Sequence, residues 1–107
     1  MVRDMDAQIK KGIIEMCILK FISEEDVYGY PIMQKMEQYF PDKDNSSIYA
    51  ILRRLCSEGY TETYMGTESG GPARKYYRIT EAGMNYLNEK VSEWRMINKI
   101  VEEFGLK

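Results

Sequence analysis

Serines followed by arginines in one short stretch of the chain have the residue types and the spacing needed to contact DNA. Ser46, Ser47 and Tyr49 stand near its start, and Arg53 and Arg54 follow one to two helical turns later. Short hydroxyl side chains at a helix start can approach base edges in the major groove, whereas longer cationic side chains reach phosphates. An ordinary amphipathic surface helix contains the same residue types, so this stretch alone supports both interpretations.

Side chains that could carry out catalysis are scarce in this chain of 107 residues. It contains no histidine, which removes the Ser-His-Asp triad, histidine general-base catalysis and the commonest metal ligand. The two cysteines, Cys17 and Cys56, have neither zinc-site nor redox-pair spacing, and we interpret both as buried, reduced thiols. We therefore expect no enzyme activity, no metal site and no cofactor.

Charge is distributed unevenly along a chain of otherwise ordinary globular composition. The formal net charge is −2, but residues 46–79 hold five basic and three acidic residues, whereas residues 24–45 hold two and six. Phosphate binding depends on local potential more than on net charge, so the local surplus of positive charge is compatible with DNA binding. No apolar run reaches the roughly 18 residues of a membrane span, and Met1 to Lys10 does not resemble a signal peptide; we expect a cytoplasmic protein.

Local start and stop signals define the helix that positions the serines and arginines. In the stretch Asp44–Gly59, either Asn45 or Ser46 is the expected N-cap, and Gly59 is the expected left-handed stop. Its buried side is formed by four residues at helical spacing, namely Ile48, Ile51, Leu52 and Leu55.

A second short helix, starting near Pro31 and ending at Phe40, precedes this one across a polar turn. Two short helices joined in this way, the second with a small and then basic outer side, form a helix-turn-helix pattern. Further upstream, residues 8–22 are apolar on nearly every side, which predicts an enclosed helix and a second subunit to help cover it. A strand over Met16–Leu19 is the alternative for that segment.

Two strands and a final long helix complete the predicted chain. Alternating residues predict a hairpin of Tyr60–Met65 with Lys75–Ile79, joined by a glycine-rich tip that is either a solvated loop or a wing on the DNA backbone. The candidate backbone contacts in and beside the tip are Gly70, Gly71, Arg74 and Lys75. Thr80 and Glu81 then favour a helix start, and Gly105 a stop.

This last helix carries a continuous apolar seam over about 25 residues, or roughly 37 Å. The small domain cannot cover its far half, so we expect a dimerisation helix. The expected dimer interface consists of Leu87, Val91, Trp94, Ile97, Val101 and Phe104. The predicted fold is therefore mainly α with a small β-hairpin (α+β): a winged helix-turn-helix DNA-binding domain over residues 1–79 and a C-terminal dimerisation helix over residues 80–107, forming one compact unit.

Several motifs spread over most of the chain occur together. They are Val-Tyr-Gly-Tyr from Val27, Ser-Ile-Tyr from Ser47 with Leu-Arg-Arg-Leu from Leu52, Glu-Gly-Tyr from Glu58, Gly-Gly-Pro-Ala-Arg-Lys-Tyr-Tyr from Gly70 and Thr-Glu-Ala-Gly from Thr80. Together they resemble the PadR family of bacterial transcriptional regulators, and the string from the glycine pair onward is the most specific part. The resemblance implies a winged helix-turn-helix homodimer that represses by binding a pseudo-palindromic operator in double-stranded DNA until an effector releases it.

With a single long helix after the hairpin, the chain resembles the small PadR subfamily, which includes multidrug-responsive regulators whose dimers hold planar aromatic molecules between the subunits. The resemblance implies that Trp94 lines such a cavity, and plain packing in the dimer core is the alternative for this residue. The other candidate ligand contacts are Ile13, Ile14, Cys17, Val91 and Asn98. The alternative function is a dimeric small-molecule-binding or protein-interaction module that keeps the winged-helix fold without sequence-specific DNA binding.

Overall fold

The computed structural model of this protein describes residues 7–67 and 70–106. The first six residues of the predicted winged domain and Glu68 and Ser69 of the predicted wing tip lie outside these ranges. Seven elements follow in order: α1 (Ala7–Glu24), β1 (Val27–Tyr28), α2 (Gly29–Tyr39), α3 (Asn45–Ser57), β2 (Thr61–Gly66), β3 (Arg74–Ile79) and α4 (Glu81–Glu103). The helices and the small sheet confirm the predicted α+β class, and α1 excludes the alternative strand over Met16–Leu19.

The three strands form one antiparallel sheet in the order β1-β3-β2. The predicted hairpin is confirmed, with its register running from Thr61 opposite Ile79 to Gly66 opposite Arg74. The sequence does not predict β1, because a strand of two residues is too short to show alternation. It pairs Val27 with Tyr77 and thereby ties the start of α2 to the middle of the hairpin.

The core lies where α1, α2 and α3 meet the inner side of the sheet. It consists of Ile14, Ile18, Leu19, Ile22, Ile32, Met33, Met36, Phe40, Ile48, Ile51, Leu52, Leu55, Tyr77 and Leu87. All four α3 residues predicted to be buried belong to it, so the helical phase of α3 is confirmed. This phase leaves the opposite side of α3 facing outwards.

The turn between α2 and α3 is fixed by two carboxylates. Asp44 has extended backbone angles, and its side chain accepts a hydrogen bond of 2.8 Å from the backbone N–H of Ser47. The predicted cap at Asn45 or Ser46 was therefore wrong, since both residues already lie within the helix. Asp42 forms an ion pair with Lys10 of α1, whose side chain is almost fully buried.

A second tight junction joins the end of α3 to the start of α4. Gly59 has φ +83°, which confirms the predicted left-handed stop. Thr80 accepts a hydrogen bond from the Gly83 backbone N–H at 3.0 Å and donates one to the Gly59 carbonyl at 2.6 Å. The predicted N-terminal cap of α4 is confirmed, and the same residue holds α4 against the corner between α3 and β2.

Beyond this junction α4 soon leaves the body of the molecule. Gly83 and Leu87 are buried and Val91 is half-buried, but residues 92–106 are all exposed. Leu87 belongs to the chain's own core, so its assignment to a dimer interface was wrong: periodicity identified the apolar side of the helix, but not which body covers it. No helix within the described ranges is long and apolar enough to cross a membrane.

Candidate nucleic-acid interface

The outer side of α3 presents most of the residues that the sequence analysis selected. Ser46, Tyr49 and Arg53 are exposed, and Ser47 is half-buried, with its backbone N–H bound by the capping carboxylate of Asp44. Small hydroxyl side chains thus occupy the first turn and a long cationic side chain the middle of the helix. A helix with this order can bring its first turn close to base edges.

A groove of about 810 Å³ separates α3 from the hairpin. Its floor and walls are formed by one side of α2 from Gly29 to Gln38, the start of α3 and the first residues of β3. The residues that line it include Tyr28, Gly29, Tyr30, Asn45, Tyr49, Arg74, Lys75 and Tyr77. The groove therefore has aromatic walls with two cations at the hairpin side and one carboxylate, Glu37, on the α2 side.

Three cations beside this groove have no carboxylate partner within residues 7–67 and 70–106, namely Arg53, Arg74 and Lys75. Lys75 Nζ lies 6.0 Å from the centre of the Tyr77 ring, and the Arg74 guanidinium lies 5.2 Å from that of Tyr28. Burial raises the pKa of the Tyr77 hydroxyl, and the positive charge of Arg53 acts in the opposite direction. These three positive charges are thus available to an anionic partner.

Arg54 is engaged differently from its neighbour Arg53. Its Nη2 forms an ion pair with the Glu15 carboxylate of α1, and its Nη1 donates to Glu58 Oε2 at 3.1 Å. Burial disfavours the charged guanidinium, but the negative charges of Glu15 and Glu58 together outweigh this effect, and the pKa of Arg54 is raised. Because both ends of the guanidinium are committed within the chain, we leave Arg54 out of the interface that we propose below.

Glu15 also connects α4 to this ion pair. The Tyr86 hydroxyl donates to Glu15 Oε1 at 3.3 Å, and burial followed by the charge of Glu15 raises the pKa of Tyr86. Three helices thus meet at one largely buried carboxylate. Sequence reasoning missed this cluster because its members are far apart along the chain and each alone resembles a surface residue.

The backbone conformation of the hairpin tip accounts for a glycine at position 70. Gly70 has φ +83°, a conformation that favours glycine, and its N–H donates to the Thr67 carbonyl at 2.9 Å. A Cβ on Gly70 or Gly71 would meet nothing within 4 Å, so the backbone at both positions is open to close approach.

The candidate ligand contacts are dispersed in the structure. Trp94 and Asn98 are exposed on α4, Val91 is half-buried, and Ile13 and Cys17 are half-buried on α1. Ile14 is fully buried in the core, so the prediction that it lines a ligand cavity was wrong for this conformation. Its helical phase places it on the side of α1 that faces the core.

A smaller crevice of about 290 Å³ lies between α1 and α4. Its lining includes Gln8, Lys11, Gly12, Glu15, Met16 and Tyr86, and neither Trp94 nor Cys17 contributes to it. Both cysteines are free, as predicted, but half-buried rather than buried, and burial raises the pKa of the Cys17 thiol.

A family comparison and two solved structures relate this chain to the same family of regulators. The sequence matches the transcriptional regulator PadR-like family over residues 18–89. The crystal structure of a PadR-like transcriptional regulator from Bacillus cereus is similar with a TM-score of 0.84 and 36% identity, covering 94% of this chain and 99% of that one. A PadR family transcription regulator from Clostridium difficile matches with a TM-score of 0.76 and 30% identity over 85% of this chain and 96% of that one. An uncharacterized protein of Lysinibacillus sphaericus is 38% identical over 92% of this chain and 93% of its own length.

Proposed function

Because this chain belongs to the PadR-like family of DNA-binding transcriptional regulators, we propose that it is a homodimeric repressor of a pseudo-palindromic operator, released by a small aromatic effector. The members of this family are regulators of transcription and not enzymes. The observation that carries the proposal is the grouping of three cations without carboxylate partners in the described ranges, Arg53, Arg74 and Lys75, around the outer side of α3 and the groove beside it.

In the proposed complex, α3 lies in the major groove of double-stranded DNA. The start of α3 brings Ser46, Ser47 and Tyr49 towards base edges, where hydroxyl groups can donate or accept hydrogen bonds. Arg53 and the hairpin cations bind phosphates on either side, which positions the helix without specifying sequence. The open backbone at Gly70 and Gly71 lets the hairpin tip approach the sugar-phosphate chain closely.

The exposed half of α4 supports the proposed dimer. Trp94 is 48% exposed, Ile97 61% and Phe104 80%, and Val101 lies between them on the same side. An uncovered apolar surface of this kind is typical of a face that a second subunit buries. Two such helices related by a two-fold axis would present two α3 helices to one duplex about one helical turn, roughly 34 Å, apart.

The proposed effector is a planar aromatic molecule held between the two copies of Trp94. Val91 and Asn98 lie one turn before and after Trp94 on the same side of α4, so both would flank a molecule stacked on the indole. Ile13 and Cys17, half-buried on α1, are the proposed contributions of the first helix.

DNA binding is tested by sequencing the genomic fragments that the purified protein retains and measuring affinity for the enriched site at several salt concentrations. Arg53→Ala and Lys75→Ala are each expected to weaken binding and to reduce the slope of log K against log salt by about 1.8, because each removes one phosphate contact from both subunits of the dimer. Lys99→Ala is the matched control, since Lys99 is an exposed cation on α4 far along the chain. Unchanged slopes in both interface variants would contradict the proposed DNA-binding surface.

The dimer and its cavity need separate measurements. Ile97→Asp is expected to give monomers in sedimentation velocity, whereas Lys99→Asp, on the polar side of the same helix, leaves dimers intact. A panel of planar aromatic compounds is expected to include molecules that quench Trp94 emission and lower DNA affinity together. Intact dimers that bind no DNA at low salt would instead favour a dimeric small-molecule-binding or interaction module.

A further inference from the structure

Three tyrosines lie side by side across the outer side of the sheet, one on each strand. Tyr76 is directly opposite Tyr28 on β1 and Tyr64 on β2. The Tyr28 and Tyr76 rings are tilted at a centroid distance of 5.5 Å, and the Tyr64 and Tyr76 rings are stacked at the same distance. Since side chains alternate along a strand, this aromatic row (Tyr28, Tyr76, Tyr64) faces away from the core that Tyr77 enters.

An arginine lies over each end of the aromatic row, but the two are in different electrostatic situations. Arg78 lies 4.5 Å from the centre of the Tyr64 ring and is paired with Asp26 and Glu62 at 3.4 and 3.3 Å. Arg74 lies 5.2 Å from the centre of the Tyr28 ring and has no carboxylate partner in the described ranges. A guanidinium that stacks on an aromatic ring keeps its in-plane N–H groups free for another acceptor.

The Tyr28 ring is a fixed support for that guanidinium. The backbone of Tyr28 pairs with β3, and the Tyr28 ring packs on Tyr76. In the chain, Tyr28 immediately precedes the first residue of α2. Both Tyr28 and Arg74 also line the groove beside α3. The position of the cation at the groove edge is thereby tied to the helix-turn-helix and not only to the hairpin tip.

We propose that Tyr28 is a positioning residue for DNA binding: its ring holds the Arg74 guanidinium at the groove edge, with the N–H groups directed to a phosphate. A side chain held in place before binding loses less conformational entropy in the complex than a mobile one. This inference depends on the phosphate contact proposed for Arg74 above. It adds a residue that touches no DNA and acts through Arg74.

The test uses the full chain and a mixed-sequence DNA duplex of about 30 base pairs, roughly three helical turns. Affinity is measured against salt for the wild type, Tyr28→Phe, Tyr28→Leu, Arg74→Ala and the double variant Tyr28→Leu/Arg74→Ala. Arg74→Ala is expected to reduce the salt slope by about 1.8, because one phosphate contact is lost from each subunit of the proposed dimer. Tyr28→Leu is expected to weaken DNA binding about two- to fivefold, whereas Tyr28→Phe, which keeps the aromatic ring, should bind like the wild type. In the double variant, Tyr28→Leu should cause no further loss of affinity beyond that of Arg74→Ala.

Tyr64→Leu is the matched control, since it removes the aromatic ring at the other end of the row. That ring lies under Arg78, which is already paired with carboxylates. The DNA affinity of Tyr64→Leu should equal that of the wild type. Equal weakening by Tyr28→Leu with and without Arg74 would mean that Tyr28 acts through the fold, which overturns the inference. Wild-type affinity in Tyr28→Leu, beside a clear loss in Arg74→Ala, overturns it while the phosphate contact stands. No loss in Arg74→Ala removes the contact itself and the inference with it.

Discussion

The hydroxyl group of Tyr49 lies against Gly29, so that the first turn of α3 touches the first residue of α2 where there is no side chain. A Cβ placed on Gly29 would be 2.8 Å from the Tyr49 Oη, which real contacts do not allow. The next nearest atoms, two ring carbons of Tyr49, would be 3.5 Å away, an ordinary van der Waals distance. The conflict therefore arises from a single oxygen atom.

We predict that the effect of Gly29→Ala changes sign with the residue at position 49. In the wild type, the substitution should displace Tyr49 and lower the free energy of unfolding by about 1 kcal/mol. In a Tyr49→Phe background it should stabilise by about 0.5 kcal/mol, because alanine restricts the unfolded chain and favours the helix. Urea unfolding of the four proteins at one concentration measures both values; a loss of equal size in both backgrounds would contradict the contact.

Arg53 and Arg54 are adjacent in sequence and should respond in opposite ways to truncation. Arg54→Ala leaves the largely buried Glu15 carboxylate without its cation, and we expect a loss of about 1–2 kcal/mol in unfolding free energy with an unchanged salt slope of DNA binding. Arg53→Ala removes an exposed cation, so it should alter stability by less than about 0.5 kcal/mol and reduce the salt slope. Exchange of the two phenotypes would show that the outer side of α3 is assigned wrongly.

Gly83 should tolerate no side chain. A Cβ there would lie 2.0 Å from the backbone oxygen of Tyr60, and backbone cannot rotate away as a side chain can. Gly83→Ala is expected to lower the unfolding free energy by about 3 kcal/mol, seen as a shift in the thermal midpoint. Gly12→Ala on α1 is the matched control, since its Cβ meets nothing within 4 Å and the change should stabilise by about 0.5–1 kcal/mol.

Acid should weaken the turn between α2 and α3 through two carboxylates. The hydrogen bond from Lys10 holds the pKa of Asp42 below its ordinary value of 3.8, and that from the Ser47 backbone N–H lowers the pKa of Asp44 in the same way. A carboxylate whose pKa is lower in the folded state stabilises the fold above the unfolded value and loses this contribution as the pH falls through the folded value. Stability should thus decline below pH 3.8 more steeply in the wild type than in Asp42→Asn.

Urea midpoints across the acid range measure this difference, with Glu37→Gln as a matched loss of one exposed negative charge. Near neutral pH the Asp42→Asn protein should be less stable than the wild type, because its turn no longer carries the ion pair to Lys10. Parallel pH profiles for the wild type and Asp42→Asn would contradict the role of Lys10.

Local signals along the sequence were sufficient for most element boundaries. Gly59, Thr80 and Gly105 each act within one helical turn, and all three perform the expected function. The cap at Asp44 could not be chosen over Asn45 and Ser46 because three neighbouring residues have the same capping chemistry and only the backbone angles distinguish them.

Long-range relationships were not accessible in the same way. Periodicity identified Ile14 and Leu87 as apolar positions, yet it could not show that the chain's own core covers both. The pairing of Arg54 with Glu15 and the packing of Tyr28 under Arg74 join segments that only the fold brings together. The candidate site on α3 and the hairpin therefore stays a prediction from the sequence, and the division of its cations into available and engaged ones required coordinates.

In the proposed dimer, the length of the exposed part of α4 sets both the rotation and the distance between the two halves of the interface. Each residue added to or removed from the segment between Val91 and Trp94 would turn everything beyond it by about 100° and move it by about 1.5 Å along the axis. Deletion of one residue would rotate Trp94 away from the copy of Trp94 in the partner subunit, whereas insertion of four residues would restore the angle to within about 40° with an offset of about 6 Å. Insertions and deletions in this helix therefore offer a route by which related regulators could acquire operators with differently spaced half-sites.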